Sequence, residues 1–369
     1  MDKKVLVVGG SAIGCICAKE IAKQGFETTL FEEHSQFGKF NKCGGIVSKK
    51  GLEETGVNYK SAMLNEIKGA RIFSKSGNEL RVSSSETKAI VINRQKFDER
   101  CADEAVSEGA ELIPNERAEK FSSSDEKRIK VSTKKNSISA DFLVGADGAY
   151  SHTAKSFSFP SFRKNNLVQA YQAEFENANV PEKNEVMLFL DNENFSGFFG
   201  WAIPVSEEKV RIGFATKRME NVQNAREKLF KNKMVMEMLT EKSRISYDFY
   251  HVIPLKARAK TQIGNSVFLV GDSAGQVKST TGGGLVFGSK CAKILANEMR
   301  DATESKRAIN YEQRWRREAG KTLRMHNLLH NIYGTVPDFL ADFLVLSGAK
   351  TGMGKLLERF GDMDYLLKF

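Results

Sequence analysis

Residues 3–33 read KKVLVVGGSAIGCICAKEIAKQGFETTLFEE, and this stretch decides the fold. A short β-branched run, VLVV, ends at Gly9; Ile13, Cys17 and Ile21 then recur at helical spacing until Gly25 stops the helix, and FETTLF reads as a second buried strand. Strand, glycine turn, helix and strand within about 30 residues make a βαβ unit, whose parallel strands require helices against the sheet. The turn, GGSAIG at 9–14, stands where a dinucleotide loop belongs. Gly9 allows the tight turn and Gly14 close helix–strand packing, while the helix N-terminus offers unpaired N–H groups to a pyrophosphate. Ser11 occupies the middle glycine position of that pattern, with Ile13 beside it. Glu32, eighteen residues beyond Gly14 at the end of the next strand, is placed to accept both ribose hydroxyls. An ordinary βαβ unit with a glycine turn is the alternative.

The chain has 369 residues, more than one core of roughly 250–300 residues fills, so two or more modules are expected. Hydrophobic content of 41% and charged content of 28% suit a globular protein. No apolar run reaches the roughly 18 residues of a membrane span; FLADFLVL at 339–346 is short and carries Asp342. The basic-then-apolar N-terminus is interrupted by glycines and runs on into a helix, so it is not read as a secretory signal. Five cysteines without a repeated CxxC fit neither a disulfide framework nor a thiolate metal cluster, and point to a reducing cytoplasm. The net charge of +10 favours an acidic partner: a phosphorylated ligand, an anionic membrane face or, last, nucleic acid, for which no finger, aromatic RNA-binding pattern or lysine tract speaks.

Residues 66–85 alternate around a Ser-Gly-Asn turn and read as an antiparallel hairpin. VINRQKFDERCADEAVSEG is a strand leading into an amphipathic helix with Phe97, Ala105 and Val106 inward. ISADFLVGADG is again a buried strand ending at glycine. From about 165 to 250 the texture becomes antiparallel, with one helix near 222–240. NSVFLVGDSAG returns to the buried type, a helix follows TTGGG, and the chain from 309 is helical, basic and aromatic. His326 and His330 share a helix face, but no glutamate completes HExxH and no metal site is expected. RWRRE at 314–318 reads first as a solvated helix face.

GADG at 145–148 and VFLVGDSAG at 267–275 both end apolar strands in Gly and Asp, and Asp272 is placed to bind a polyol hydroxyl. A nicotinamide enzyme needs no such late element. The combination resembles FAD-dependent enzymes of the glutathione-reductase-like superfamily, of the hydroxybenzoate hydroxylase type. GDSAGQVKSTTGGGLVFG at 271–288, CGG at 43–45 and GFFGWAIP at 197–204 narrow the resemblance to the geranylgeranyl reductase family, including archaeal digeranylgeranylglycerophospholipid reductases, over nearly the whole chain. It implies an α/β fold: a Rossmann-like FAD-binding domain (1–60, 87–160, 250–308), an antiparallel substrate domain (61–86, 161–249) and a C-terminal helical region (309–369).

The same resemblance implies the site. Asp272 holds the FAD ribitol, Arg94 lies near the pyrophosphate, and Ala118 is on the strand whose backbone meets the adenine. Cys43, Gly44 and Gly45 line the isoalloxazine; Gly283, Gly284 and Leu285 face it from a helix N-terminus that stabilises negative charge on reduced flavin. Many members carry an acid two residues after the cysteine, where this chain has Gly45. Phe199, Trp201 and Pro204, with Ile203, fall in an aromatic–x–Trp–x–aromatic–Pro pattern that suits an apolar tunnel wall for an isoprenoid chain or, alternatively, a plain buried strand.

The reaction implied is saturation of isoprenoid C=C bonds by hydride from flavin N5 plus a proton from Cys43 or water. The reductant is a nicotinamide, a deazaflavin or ferredoxin, and the protein touches the inner membrane face peripherally. Two rivals stand beside this: a flavin monooxygenase or halogenase, since FGWAIP approaches the halogenases' Trp-x-Trp-x-Ile-Pro, and a non-catalytic flavin-containing lipid carrier.

Overall fold

A computed structural model describes residues 3–39, 42–123, 128–354, 358 and 364–365. The opening βαβ unit forms as read: strands Lys4–Val8 and Glu27–Phe31 pair in parallel around helix Ala12–Ala22. They centre a six-stranded sheet in the order 262–263, 267–269, 142–145, 4–8, 27–31, 111–113, parallel except at the 262–263 edge. Side-chain alternation sends Val5 and Val7 to one face, under helices Ala12–Ala22, Arg94–Ser107 and Leu285–Glu304, and Leu6 and Val8 to the other. That second face is covered by a three-stranded antiparallel sheet spanning 120–140.

A seven-stranded sheet runs in the order 244–254, 167–176, 209–216, 200–204, 185–189, 69–73, 79–83, antiparallel except between 69–73 and 185–189. Tyr171, Ala173, Ile212 and Phe214 pack on one face beneath two short helices. These are Val222–Phe230 and Lys233–Met238, where the sequence suggested one helix; Asn232 interrupts it by capping the second through its side chain. The opposite face carries Gln172, Glu174 and Arg211, and Arg211 reaches across to the carbonyls of Gly44 and Ile92. This sheet thereby meets the Cys43 loop and residue Ile92.

Two expectations are corrected here. Val106 is 55% exposed rather than inward, because Phe97, Cys101 and Ala105 at steps of four already fill the buried stripe of their helix. Ala118 is not on a strand: it precedes strand Lys120–Ser123, buried, with its carbonyl facing the His152 ring nitrogen at 3.1 Å. RWRRE lies on helix Tyr311–Glu318, in which Trp315 is buried and Arg314 pairs with Glu318 of the same helix and with Glu298 and Asp301 of helix Leu285–Glu304. Among the described residues, no helix is long and apolar enough to cross a membrane.

Candidate functional site

The glycine turn at 9–14 is built from close backbone approaches. Gly9 has φ +102°, and a Cβ there would stand 2.6 Å from the Ala146 carbonyl oxygen; one on Gly14 would stand 1.7 Å from the Gly9 oxygen. Ser11 caps helix Ala12–Ala22 without a side-chain bond, and Ile13 packs against Gly271 and Gly288, tying this loop to the late Gly-Asp motif. Buried Glu32 accepts the Gly10 N–H at 2.6 Å and the His34 N–H at 2.9 Å, so its two oxygens lie fixed beside the loop. Sequence reasoning missed Asp98, fully buried, which accepts from Ala12 N–H at 3.1 Å and pairs with Arg94. Burial alone would lower Arg94, but Asp98 and then the Cys43 side chain, which Arg94 also reaches, raise it above the ordinary guanidinium value.

The Cys43 loop rests on the β-rich sheet. Arg211 donates to Gly44 O at 3.0 Å and Ile92 O at 3.1 Å, and its Nε to Glu174 at 2.8 Å, an ion pair shielded almost wholly from water. Gly45 has φ +70°, and a Cβ there would fall 2.3 Å from Arg211 Nη1. The buried guanidinium thus occupies the space that a side chain two residues after the cysteine would need. Gln172, 1% exposed, donates to Cys43 O at 3.4 Å and accepts from Trp201 Nε1 at 3.0 Å. Cys43 is partly exposed, with its sulfur 3.4 Å from the Gly45 N–H.

The apolar wall follows from Trp201. Phe199 meets Trp201 edge-on at 6.2 Å and stacks on Phe198 at 4.6 Å; Phe198 and Ile253 border Gly282. Ile203 shares Trp201's face, whereas Pro204 lies on the other face at the strand end, its carbonyl taken by Asn65. Phe199 and Trp201 are therefore brought together and Pro204 is not.

Gly282, Gly283 and Gly284 lead into helix Leu285–Glu304, so its first-turn N–H groups open at this loop. A Cβ on Gly284 would lie 2.6 Å from Asp272 Oδ1, and His251 Nε2 stands 3.9 Å from Asp272 Oδ2. Lys278 is buried and paired with Asp364, which also binds Ser48, beyond the Cys43 loop; His326 Nε2 meets the Asp364 carbonyl at 3.0 Å and its Nδ1 the Thr280 hydroxyl at 2.7 Å. Asp364 thus ties the glycine loop at Lys278–Gly284 to the strand end at Ser48, beyond the Cys43 loop. His330, 3% exposed, has no hydrogen-bond partner at Nε2 among the described residues, and no cluster there could hold a metal ion.

These residues fit FAD. Glu32 stands against Gly10 and Asp272 against Gly284, each where a Cβ would come within 3 Å, and the N-termini of helices Ala12–Ala22 and Leu285–Glu304 begin at these two turns. Arg211, Gln172, Glu174 and Asp364 were not singled out from sequence. A readable signal existed for the first three: Gln172 and Glu174 interrupt AYQAEFE, and Arg211 interrupts VRIGFAT, all within otherwise apolar strands.

Residues 2–324 match the family described as FAD binding domain. An uncharacterized protein of Methanocaldococcus jannaschii is 26% identical over 98% of this chain and 92% of its own length. The digeranylgeranylglycerophospholipid reductase of Methanosarcina acetivorans is 26% identical over 90% of this chain and 85% of its own. Among solved structures, a geranylgeranyl bacteriochlorophyll reductase-like protein of Thermoplasma acidophilum aligns with TM-score 0.85, at 20% identity over 99% of this chain and 97% of that one. A flavin-dependent brominase aligns at 0.72 and 15% identity over 99% and 94%. At these identities the two structures speak for the fold alone.

Proposed function

The chain belongs to the FAD binding domain family, with FAD as its cofactor, and from that premise we propose that it is a reductase of isoprenoid lipid C=C bonds. The observation that carries this reading is the Cys43–Gly44 loop, held by Gln172 to an apolar wall of Trp201, Phe199 and Phe198 that ends at the second glycine loop. The reductase names of the relatives support it. An isoprenoid offers no polar handle along its chain, so apolar surface must position it and keep water out.

Reduced FAD, when bound, supplies the hydride for one alkene carbon. The other carbon needs a proton nearly in step, because an isolated alkene has no carbonyl to absorb charge. Cys43 is the proton donor in this reading: its thiol is partly exposed, and Arg94 beside it balances the charge left on sulfur until solvent returns a proton. Gly45 offers no acid for that role. Helix Leu285–Glu304 turns its N-terminus toward the site, where its dipole favours negative charge. The reductant is a nicotinamide, a deazaflavin or ferredoxin, and the substrate a geranylgeranyl-type membrane lipid or its precursor.

The test is anaerobic. Purified protein is reduced with dithionite and mixed with geranylgeranyl lipid, then the flavin spectrum and lipid mass are followed. Reoxidation of flavin with a gain of two mass units per double bond is expected. Reoxidation by oxygen alone would favour a monooxygenase or halogenase, and bound lipid of unchanged mass a carrier; either result overturns the reading.

A further inference from the structure

Most of the large apolar side chains left exposed among the described residues lie on two consecutive helices, Gly320–Thr335 and Asp338–Thr351. On the first, Met325, Leu328 and Ile332 follow Lys321 at steps of four, three and four, forming one bare stripe. On the second, Phe339, Phe343 and Leu346 repeat the spacing and end at exposed Lys350; Phe339 is 74% exposed and Phe343 62%. A surface of this kind on a globular protein marks a docking site.

Charge identifies the occupant. The two helices carry two acids, both half-buried and tied to neighbouring loops: Asp338 accepts the N–H groups of Asn192 and Glu193, and Asp342 binds the backbone and hydroxyl of Ser76. Lys321, Arg324 and Lys350 remain exposed. Apolar stripes edged by outward cations, with both acids engaged by neighbouring loops, match the lipid–water boundary of an anionic bilayer, in which aromatic rings sit below the head groups and lysines among them.

The position agrees. The inner face of helix Gly320–Thr335 touches the site: His326 meets Thr280 of the glycine loop, His330 faces Phe198, and Tyr333 donates to Phe198 O at 2.8 Å. One helix therefore has the apolar wall on one side and the bare stripe on the other. FLADFLVL, too short to span a bilayer, forms the core of the second stripe.

We propose that helices 320–335 and 338–351 form an anionic-membrane docking surface that lays the lipid face of the bilayer beside the substrate wall. It deepens the reading of a lipid substrate, yet is measured without turnover, so the two fail separately.

The test is cosedimentation of flavin-loaded protein with vesicles of phosphatidylglycerol mixed with phosphatidylcholine, and of phosphatidylcholine alone. Wild type is expected to bind the anionic vesicles at least about tenfold more tightly, since each lysine at such a surface contributes about fivefold. Phe339→Ser/Phe343→Ser should lower binding at least about tenfold. Met236→Ser, at a residue 59% exposed elsewhere, should leave it unchanged. All variants alter exposed side chains; equal flavin content and melting temperature confirm the fold. Absence of vesicle binding overturns the proposal, as does binding that the double variant retains. A dimer in light scattering that the double variant dissolves also overturns it, assigning the face to a second copy of the chain.

Discussion

The glycine doublet of the Cys43 loop makes a prediction in which two neighbouring substitutions part company. At Gly45, φ of +70° costs an alanine about 1–2 kcal/mol. Its Cβ would lie 2.3 Å from Arg211 Nη1 and 2.8 Å from the Ile92 carbonyl oxygen, which is backbone and cannot swing aside. Arg211 must then give up its bonds to Gly44 O and Ile92 O, each bond to a charged donor contributing about 1.5–3 kcal/mol. Gly45→Ala is therefore expected to lose about 3–5 kcal/mol, allowing for partial relaxation. At Gly44 the backbone is not left-handed, and the Cβ would meet Gln172 Oε1 at 3.5 Å and Ile203 Cδ1 at 3.8 Å, ordinary contacts. Gly44→Ala should cost under about 1 kcal/mol of stability but, because the proposed site sets this loop against the flavin, weaken FAD binding. Urea unfolding of both variants, followed by circular dichroism without added flavin, and a flavin titration measure the two effects. Equal stabilities, or a Gly45→Ala protein within about 1 kcal/mol of wild type, would refute the role assigned to Arg211.

Gly14→Ala, with its Cβ 1.7 Å from the Gly9 oxygen, should part helix Ala12–Ala22 from its loop and yield protein with little bound flavin, read as the ratio of absorbance near 450 nm to that at 280 nm. Burial, assisted by Lys217, lowers His330 from 6.5 to about 4, so the unfolded chain takes up its proton at higher pH than the folded one. Stability is full above pH 6.5 and falls by about 2–3 kcal/mol as pH drops through about 4; in His330→Gln that limb of the urea-unfolding profile should flatten.

The first sheet was legible because each of its signals is local: VLVV alternates between two buried faces, glycine ends the strand, and Glu32 follows at a fixed distance. The antiparallel region was legible as texture, yet the helix near 222–240 broke at Asn232, whose capping preference outweighed the apolar period. Val106 misled because the buried face of its helix runs through Phe97, Cys101, Ala102 and Ala105, and the next residue falls just past the edge of that stripe. At the site, the glycines could be read from sequence, since close approach leaves few alternatives to a missing side chain. Their supports could not. Arg211 lies 167 residues from Gly44, and Asp364 lies 86 from Lys278; nothing within either segment names the other. A lone polar residue in an apolar strand signals a partner across an interface without identifying it.

Gln172 shows how such a residue joins cofactor loop to substrate wall. The Trp201 indole is a donor only, and the Cys43 carbonyl an acceptor only, so the amide between them can face one way: Oε1 to the indole, Nε2 to the carbonyl. The indole packs closely on Gly213, where a Cβ would stand 2.8 Å from two of its ring atoms, so it has little room to follow a displaced partner. Gln172→Glu keeps the acceptor for Trp201 but sets oxygen against oxygen at Cys43, in a place only 1% exposed. The wall should hold and the loop should move. FAD affinity is expected to fall about tenfold, an energy of about 1.4 kcal/mol, while Trp201 emission stays at its wild-type wavelength. Gln172→Leu strands both groups and should shift the emission as well. If Gln172→Glu binds FAD as wild type does, or if its tryptophan emission shifts as far as that of the leucine variant, the two surfaces are not joined through this side chain, and the Cys43 loop is held by Arg211 alone.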